Sequence, residues 1–220
     1  MSTVLSHQQA RSAYDRIGSL QDTQAFYEDR ATDVLLRHGG FGTAQNVFEF
    51  GCGTGRFALR LFEEFLAPDS RYRGVDVSPK MISLARARLA PYSDRARVTL
   101  TRGDPPIDQP AESCDRFLSN YVFDLLSEKD IRDVLREAHR MLRPDGLLCL
   151  SGLSTGVSRF SRSVARAWSW IQTRRPSAVG GCRPIDVLPF LPASDWQLEH
   201  HVKLVRFGIT SEALVARRHP

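Results

Sequence analysis

The chain has 220 residues, of which 42% are hydrophobic and 25% charged, with a formal charge of +5. That much apolar material can build a buried core, and it excludes a chain that is disordered throughout. The excess charge is mostly arginine scattered over helical stretches, which describes a solvated surface and does not by itself point to nucleic acid.

No window holds 18 consecutive apolar residues, so no membrane span is expected. Met1 to Ala10 lacks the apolar core of a signal peptide, and a cytoplasmic location is expected. Cys52, Cys114, Cys149 and Cys182 are widely separated, with no C-x-x-C pair and no histidine at ligand spacing. Reduced, mostly buried thiols are expected, and no metal site.

In chain order, residues 1–40 read as a helical lead-in. Apolar or β-branched runs bounded by turn residues predict strands at about 46–50, 72–76, 96–101, 115–119 and 146–152. Helical periodicity separates them. Phe57, Ala58, Leu61, Phe62 and Phe65 share one face, as do Met81, Leu84, Ala85 and Leu89, and Ile131, Val134, Leu135, Ala138 and Leu142. Ser78-Pro79 and Ser127 supply helix starts, and Arg143-Pro144-Asp145-Gly146 supplies a stop and a turn. Alternation of this kind builds a mainly parallel sheet covered on both faces. Residues 153–192 read as an irregular helical insertion. Trp196 to Phe207 and Glu212 to Arg217 read as two antiparallel edge strands joined by Gly208-Ile209-Thr210-Ser211.

The stretch Gly51-Cys52-Gly53-Thr54-Gly55 leaves an apolar strand and enters a helix. Glycines there permit a tight turn and let a ligand approach bare backbone. Parallel α/β sheets bind ligands at this edge, outside the carboxyl ends of the strands. Glu49 stands just before the turn, placed to order the loop or to meet a ligand's ammonium group. The spacing is G-x-G-x-G. A dinucleotide fingerprint requires G-x-G-x-x-G, and Arg56 occupies its third glycine position. Asp76 ends the next strand, where an acid can accept hydrogen bonds from both ribose hydroxyls of a nucleoside. Asp104, after the third strand, is placed to accept an adenine amine, and Asn120, after the fourth, to hold an amino-acid group. The plainer readings are a simple strand-to-helix turn, a helix-cap group for Asp76 and a turn residue for Asp104.

These four strand ends together resemble the class I S-adenosylmethionine-dependent methyltransferases, specifically the small-molecule branch that includes ubiquinone and menaquinone biosynthesis. The resemblance covers about residues 10–152. It rests on residues 48–55, on Gly74-Val75-Asp76-Val77-Ser78-Pro79-Lys80-Met81, on Gly103-Asp104, on Ser113-Cys114-Asp115 with Ser119-Asn120, and on residues 142–146. It implies one Rossmann-like, doubly wound α/β domain over residues 1–220, with a seven-stranded, mainly parallel sheet and an antiparallel C-terminal edge hairpin. It further implies a methionine site at Glu49, Gly51, Cys52, Gly53 and Gly55, a ribose site at Asp76, and adenine contacts at Val77, Met81 and Asp104. Asn120 would lie under the methionine moiety, and Tyr14 would close over the cofactor. Two positions depart from the family: Cys114 stands where members often have Phe, and Phe123-Asp124 where many have His.

Transfer from a sulfonium mainly requires alignment, and a base only where the acceptor loses a proton. Asp124 and Tyr14 are the candidates for such a catalytic role. Asn120-Tyr121-Val122-Phe123 lacks the paired prolines of amino-directed DNA methyltransferases, and no Pro-Cys nucleophile is present, so the expected acceptor is a small, hydrophobic molecule and not nucleic acid. Val157, Phe160, Val164, Trp168 and Ile171 share one predicted helix face, with Arg159, Arg162 and Arg166 opposite. That pattern suits core packing, a lid over an apolar pocket, or a peripheral contact with an anionic membrane. A nicotinamide-dependent oxidoreductase and a non-catalytic cofactor-binding protein are the rival readings.

Overall fold

The computed structural model describes Asp15 and residues 25–219. Among these residues, seven strands form one sheet: β1 (Asn46–Phe50), β2 (Arg71–Asp76), β3 (Ala96–Leu100), β4 (Cys114–Asn120), β5 (Leu142–Leu153), β6 (Trp196–Arg206) and β7 (Ile209–Arg218). Their spatial order is β3-β2-β1-β4-β5-β7-β6. The first five strands are parallel, and β7 runs antiparallel to both β5 and β6. The chain winds outward from β1 to β3 and then returns to β4 on the other side of β1. That reversal opens a crevice beyond the carboxyl ends of β1 and β4, where open α/β sheets take their ligands.

Five α-helices are described: α1 (Ala25–His38), α2 (Arg56–Glu64), α3 (Pro79–Arg88), α4 (Glu128–Met141) and α5 (Arg159–Arg174). The expected caps form. Ser78 accepts the Met81 amide at 3.1 Å ahead of Pro79, and Ser127 accepts the Asp130 amide at 3.1 Å. One apolar core lies between the sheet and α1–α3, with Leu35, Leu61, Ala85 and Tyr72 buried in it. A second lies under α4, with Phe48, Phe117, Ile131 and Leu148. All four cysteines are buried. No described helix is long and apolar enough to cross a membrane.

Three local expectations need correction. The C-terminal strands meet at Phe207-Gly208, not across Gly208–Ser211, because Ile209, Thr210 and Ser211 pair with Arg206, Val205 and Leu204. Both turn residues have positive φ, 51° and 82°, the two-residue turn whose twist matches its strands. The run from Arg143 to Gly146 does not precede β5 but lies within it. There it makes an irregularity between the pairs Cys114↔Leu142 and Arg116↔Leu147, with Asp145 at φ 62°.

The third concerns α5. Its arginines face solvent as expected, and Val164 and Trp168 are half-buried, but Phe160 is 67% exposed and Ile171 and Val157 are also exposed. Ser161 and Gln172 take the buried positions instead. A reciprocal cap fixes this rotation. Ser161 donates its amide to Ser158 Oγ and accepts the Ser158 amide, while Gly156 lies so close to the first turn that a Cβ there would overlap Arg162.

Candidate functional site

At the end of β1, Glu49 points into the core on the α1–α3 side and is 2% exposed. Its carboxylate accepts the Tyr72 hydroxyl and, at 3.3 Å, the Asn120 amide. Ser151 in turn donates to Asn120 Oδ1 at 2.7 Å, which fixes the amide's orientation. Burial pushes the Glu49 carboxyl up to about 7, opposed by the bonds from Tyr72 and Asn120 and assisted by the nearby Asp76. A buried carboxyl in that state gains when a cation is brought to it.

The three glycines of the turn do different things. At Gly51 a Cβ would collide with Val122, so its bareness lets the loop after β4 approach β1. At Gly55, the N-cap of α2 with φ 75°, a Cβ would sit 3.1 Å from Ala85, so this glycine packs α2 against α3. Gly53, with φ 51°, is the one facing open space: a Cβ there meets nothing within 4 Å. Its amide donates to Asp76 Oδ2 at 2.9 Å. Cys52 is buried against Gly74 of β2.

Asp76 thus ties the turn to β2. Its other oxygen accepts the Ser78 amide at 2.9 Å, and burial raises its pKa against these bonds. The carboxylate offers roughly four acceptor sites, of which the amides of Gly53, Ser78 and Val77 take three, so it can still accept a further hydroxyl. Asp15 accepts from Ser78 Oγ at 2.5 Å at the same edge. Met81 is buried, Val77 is half-buried and Asp104 is exposed, all three beyond the carboxyl ends of β2 and β3. Tyr14 lies outside the described residues.

A cleft of about 90 Å³ opens beside these groups. Glu49, Gly51, Cys52, Gly53 and Asn120 line it, and so do Glu28 and Thr32 of α1, Arg56 and Arg60 of α2, and Tyr121. The residues from α1 and Tyr121 were missed in the sequence. One signal was available: Asp29 and Asp33 match Arg56 and Arg60 in i,i+4 spacing, and the two pairs close at 2.7 and 2.8 Å, clamping α1 to α2. Tyr121 sits at φ 53°, rare for a bulky residue, with its hydroxyl donated to Ser211 at 2.8 Å.

Asp124 lies on a short 3-10 turn after β4 and is fully buried. Its Oδ2 accepts the Leu153 amide at 3.3 Å, and Oδ1 has no hydrogen-bond partner among the described residues. Burial pushes the carboxyl up to about 7, opposed by the Leu153 amide and by Arg183. Among the described residues, the histidines lie apart from the site. His200 stacks on His38, His201 meets Glu212 at 2.6 Å, and His139 packs edge-on against Trp196.

The open space at Gly53, a buried carboxyl that favours a nearby cation, and an acid at the end of β2 together fit a nucleoside that carries an amino-acid group. The strand order and this turn define the class I methyltransferase fold.

The comparisons agree. Residues 48–148 match the family model described as a methyltransferase domain. The chain is 26% identical to a malonyl-[acyl-carrier protein] O-methyltransferase of Serratia marcescens, over 78% of this chain and 62% of that protein. It is 30% identical to a demethylmenaquinone methyltransferase of Listeria monocytogenes serotype 4a, over 62% of this chain and 55% of that protein. It thus spans little more than half the length of these curated relatives. Among solved structures it resembles the N-methyltransferase NodS of Bradyrhizobium japonicum WM9 with bound S-adenosyl-L-homocysteine. There the TM-score is 0.71 at 20% identity, covering 95% of this chain and 98% of that one. It also resembles the [4+2]-cyclase SpnF, with a TM-score of 0.74 at 17% identity, covering 98% of both chains. Residues 48–148 thus match a methyltransferase domain, and the chain is similar to methyltransferases of the small-molecule branch.

Proposed function

We propose that this chain transfers the methyl group of S-adenosylmethionine to a small, hydrophobic acceptor by direct displacement. The observation that carries the reading is Glu49, buried beneath the open space at Gly53 and oriented by Asn120. When bound, the cofactor supplies an already activated methyl group, so the chain's work is to align the partners and exclude water. Glu49 and Asn120 hold the amino-acid end beside Gly51, Cys52 and Gly53. Asp76 takes the ribose hydroxyls, Val77 and Met81 flank the adenine, and Asp104 accepts its amine. Gly55 supports the turn through α3 and does not touch the ligand. Residues 1–220 act as a single domain, with residues 1–40 as a cap over the cofactor edge and 153–192 as a helical insertion on the acceptor side.

Asp124 is the group we assign to proton removal where the acceptor must lose one. Its free oxygen and its pKa of about 7 suit a base working near neutral pH. The buried thiols of Cys52, Cys114 and Cys149, which form no disulfide among the described residues, favour a cytoplasmic location. The exposed Phe160, Trp170 and Ile171 beside Arg159, Arg162 and Arg166 favour a peripheral contact with an anionic membrane, from which an apolar acceptor would be drawn. Vesicle flotation tests that part: binding to anionic vesicles above neutral ones supports it, and equal or absent binding removes it.

The test of the main reading is transfer of label from methyl-labelled S-adenosylmethionine to a panel of small quinols, phenols and carboxylic acids. The panel starts from the acceptors for which the two relatives are named. Labelled product is expected from the wild type and not from Asp76→Ala. Micromolar NAD binding with no binding of S-adenosylmethionine would overturn the reading. The cyclase with this fold makes the test necessary, because a fold does not fix its chemistry.

A further inference from the structure

The opposite end of the sheet carries a second concave surface. Along β2, Tyr72 packs into the core under α1–α3, so Arg71, Arg73 and Val75 point to the other face. The parallel register pairs Arg73 with Arg97 of β3, which places their side chains next to each other on that face. Arg71 stands two residues earlier on the same face. The apolar core under α4 reaches Val75 but not these three residues. Over them runs the loop between β3 and β4, and a cleft of about 220 Å³ remains, lined by Arg71, Arg73, Arg97, Asn46 and Gln109 among others.

The charges in this cleft are unbalanced. Arg95 also borders it but is committed elsewhere, with its guanidinium bonded to the Ala67 carbonyl at 2.7 Å and lying over the rings of Phe62 and Tyr92. Arg73 donates to the neutral amide of Gln109. Arg71 and Arg97 are exposed, and among the described residues neither side chain has an ion pair or hydrogen bond. Asp94 is the one carboxylate in the lining, and it pairs with none of the three. Like charges on directly paired strand positions destabilise a sheet, and an anion between them reverses the sign of that interaction. Neighbouring strands are about 4.8 Å apart and alternate residues on one strand about 6.6 Å apart. Three guanidinium forks at those spacings surround a space wider than one phosphate and suit bidentate contact with several anionic oxygens.

We propose that this cleft binds a di- or triphosphate group. Arg71 and Asn46 are the first residues of β2 and β1, whereas Asp76 and the Gly51–Gly55 turn lie at the other ends of those strands. The site is therefore separate from the proposed cofactor edge, and the inference does not depend on the methyltransferase reading.

The experiment is calorimetric titration of the full chain with inorganic tripolyphosphate at 0.15 M salt. The proteins compared are the wild type, Arg73→Gln/Arg97→Gln, Arg73→Lys/Arg97→Lys, and Lys129→Gln/Arg132→Gln, which makes the same charge change on the exposed face of α4. Saturable binding by the wild type is expected. The glutamine pair should weaken it at least tenfold and the lysine pair about threefold or more, with the α4 pair within twofold of wild type. Circular dichroism and melting temperature should match the wild type in all three variants, which reports that each is folded. No saturable binding by the wild type would overturn the proposal, as would equal weakening by the α4 pair.

Discussion

Replacing Glu49 with Gln tests the account at its electrostatic centre. The substitution keeps the shape and a hydrogen-bonding oxygen but removes the carboxyl that burial holds at about 7, raised from 4.5. Below pH 7 the unliganded site holds a proton that must leave before the carboxylate can face the cofactor's ammonium group. Cofactor affinity should therefore fall as pH is lowered, by roughly 15-fold between pH 7.0 and pH 5.5, with up to one proton released per ligand bound. Calorimetry with S-adenosylhomocysteine in two buffers of different ionisation enthalpy measures both quantities. Glu49→Gln should bind more weakly at pH 7 and show little of this slope.

The stability of the unliganded protein should move the other way. A carboxyl with a raised folded pKa favours the folded state below pH 4.5, and that contribution is lost as pH rises through 7. Relative to Glu49→Gln, the wild type should thus lose on the order of 3 kcal/mol over this range. A pH-independent wild-type affinity, or the same slope in both proteins, would refute the placement of the ammonium group at Glu49.

The glycines separate ligand space from packing. Gly53→Asn keeps a residue that tolerates positive φ but fills the open space, so cofactor affinity should fall at least tenfold with little change in melting temperature. Gly55→Ala should do the reverse, costing about 2 kcal/mol of stability from its positive φ and its approach to Ala85. With an acceptor that loses a proton, the wild-type rate should rise with pH up to about 7 and then level. Asp124→Asn should lower that rate about 100-fold or more and abolish the limb, with cofactor binding intact. Asp29→Asn/Asp33→Asn removes two partly exposed ion pairs, each worth under about 1 kcal/mol, so melting should barely shift. The KM for the cofactor should rise a few-fold, and 0.5 M salt should bring the wild type toward the variant.

Much of the fold was written in local patterns. β1 was read to the residue, and β2 and β3 to within one, because apolar runs there are bounded by turn residues. What local patterns do not carry is the identity of the opposing surface. Three glycines in five residues announce a turn, but only the packed chain tells that Gly51 answers Val122, Gly55 answers Ala85 and Gly53 answers open space. On α5, periodicity marked an apolar stripe, yet the cap at Ser158 and the approach of Gly156 turned Ser161 inward and Phe160 outward. The Phe207-Gly208 turn was displaced in the reading because Phe is a poor turn residue and the next three look like a loop. The place of Tyr121 in the cleft is not legible in the sequence, because its positive φ leaves no trace there.

The central claim is that the edge beyond β1, β2 and β4 is a cofactor site, and a crystal structure of the chain with S-adenosylhomocysteine tests it most directly. The account predicts the amino-acid end over Glu49 and Asn120, the ribose hydroxyls on Asp76, and the adenine between Val77 and Met81 with its amine toward Asp104. A ligand seated away from the Gly51–Gly55 turn, or one whose ribose does not reach Asp76, would contradict it.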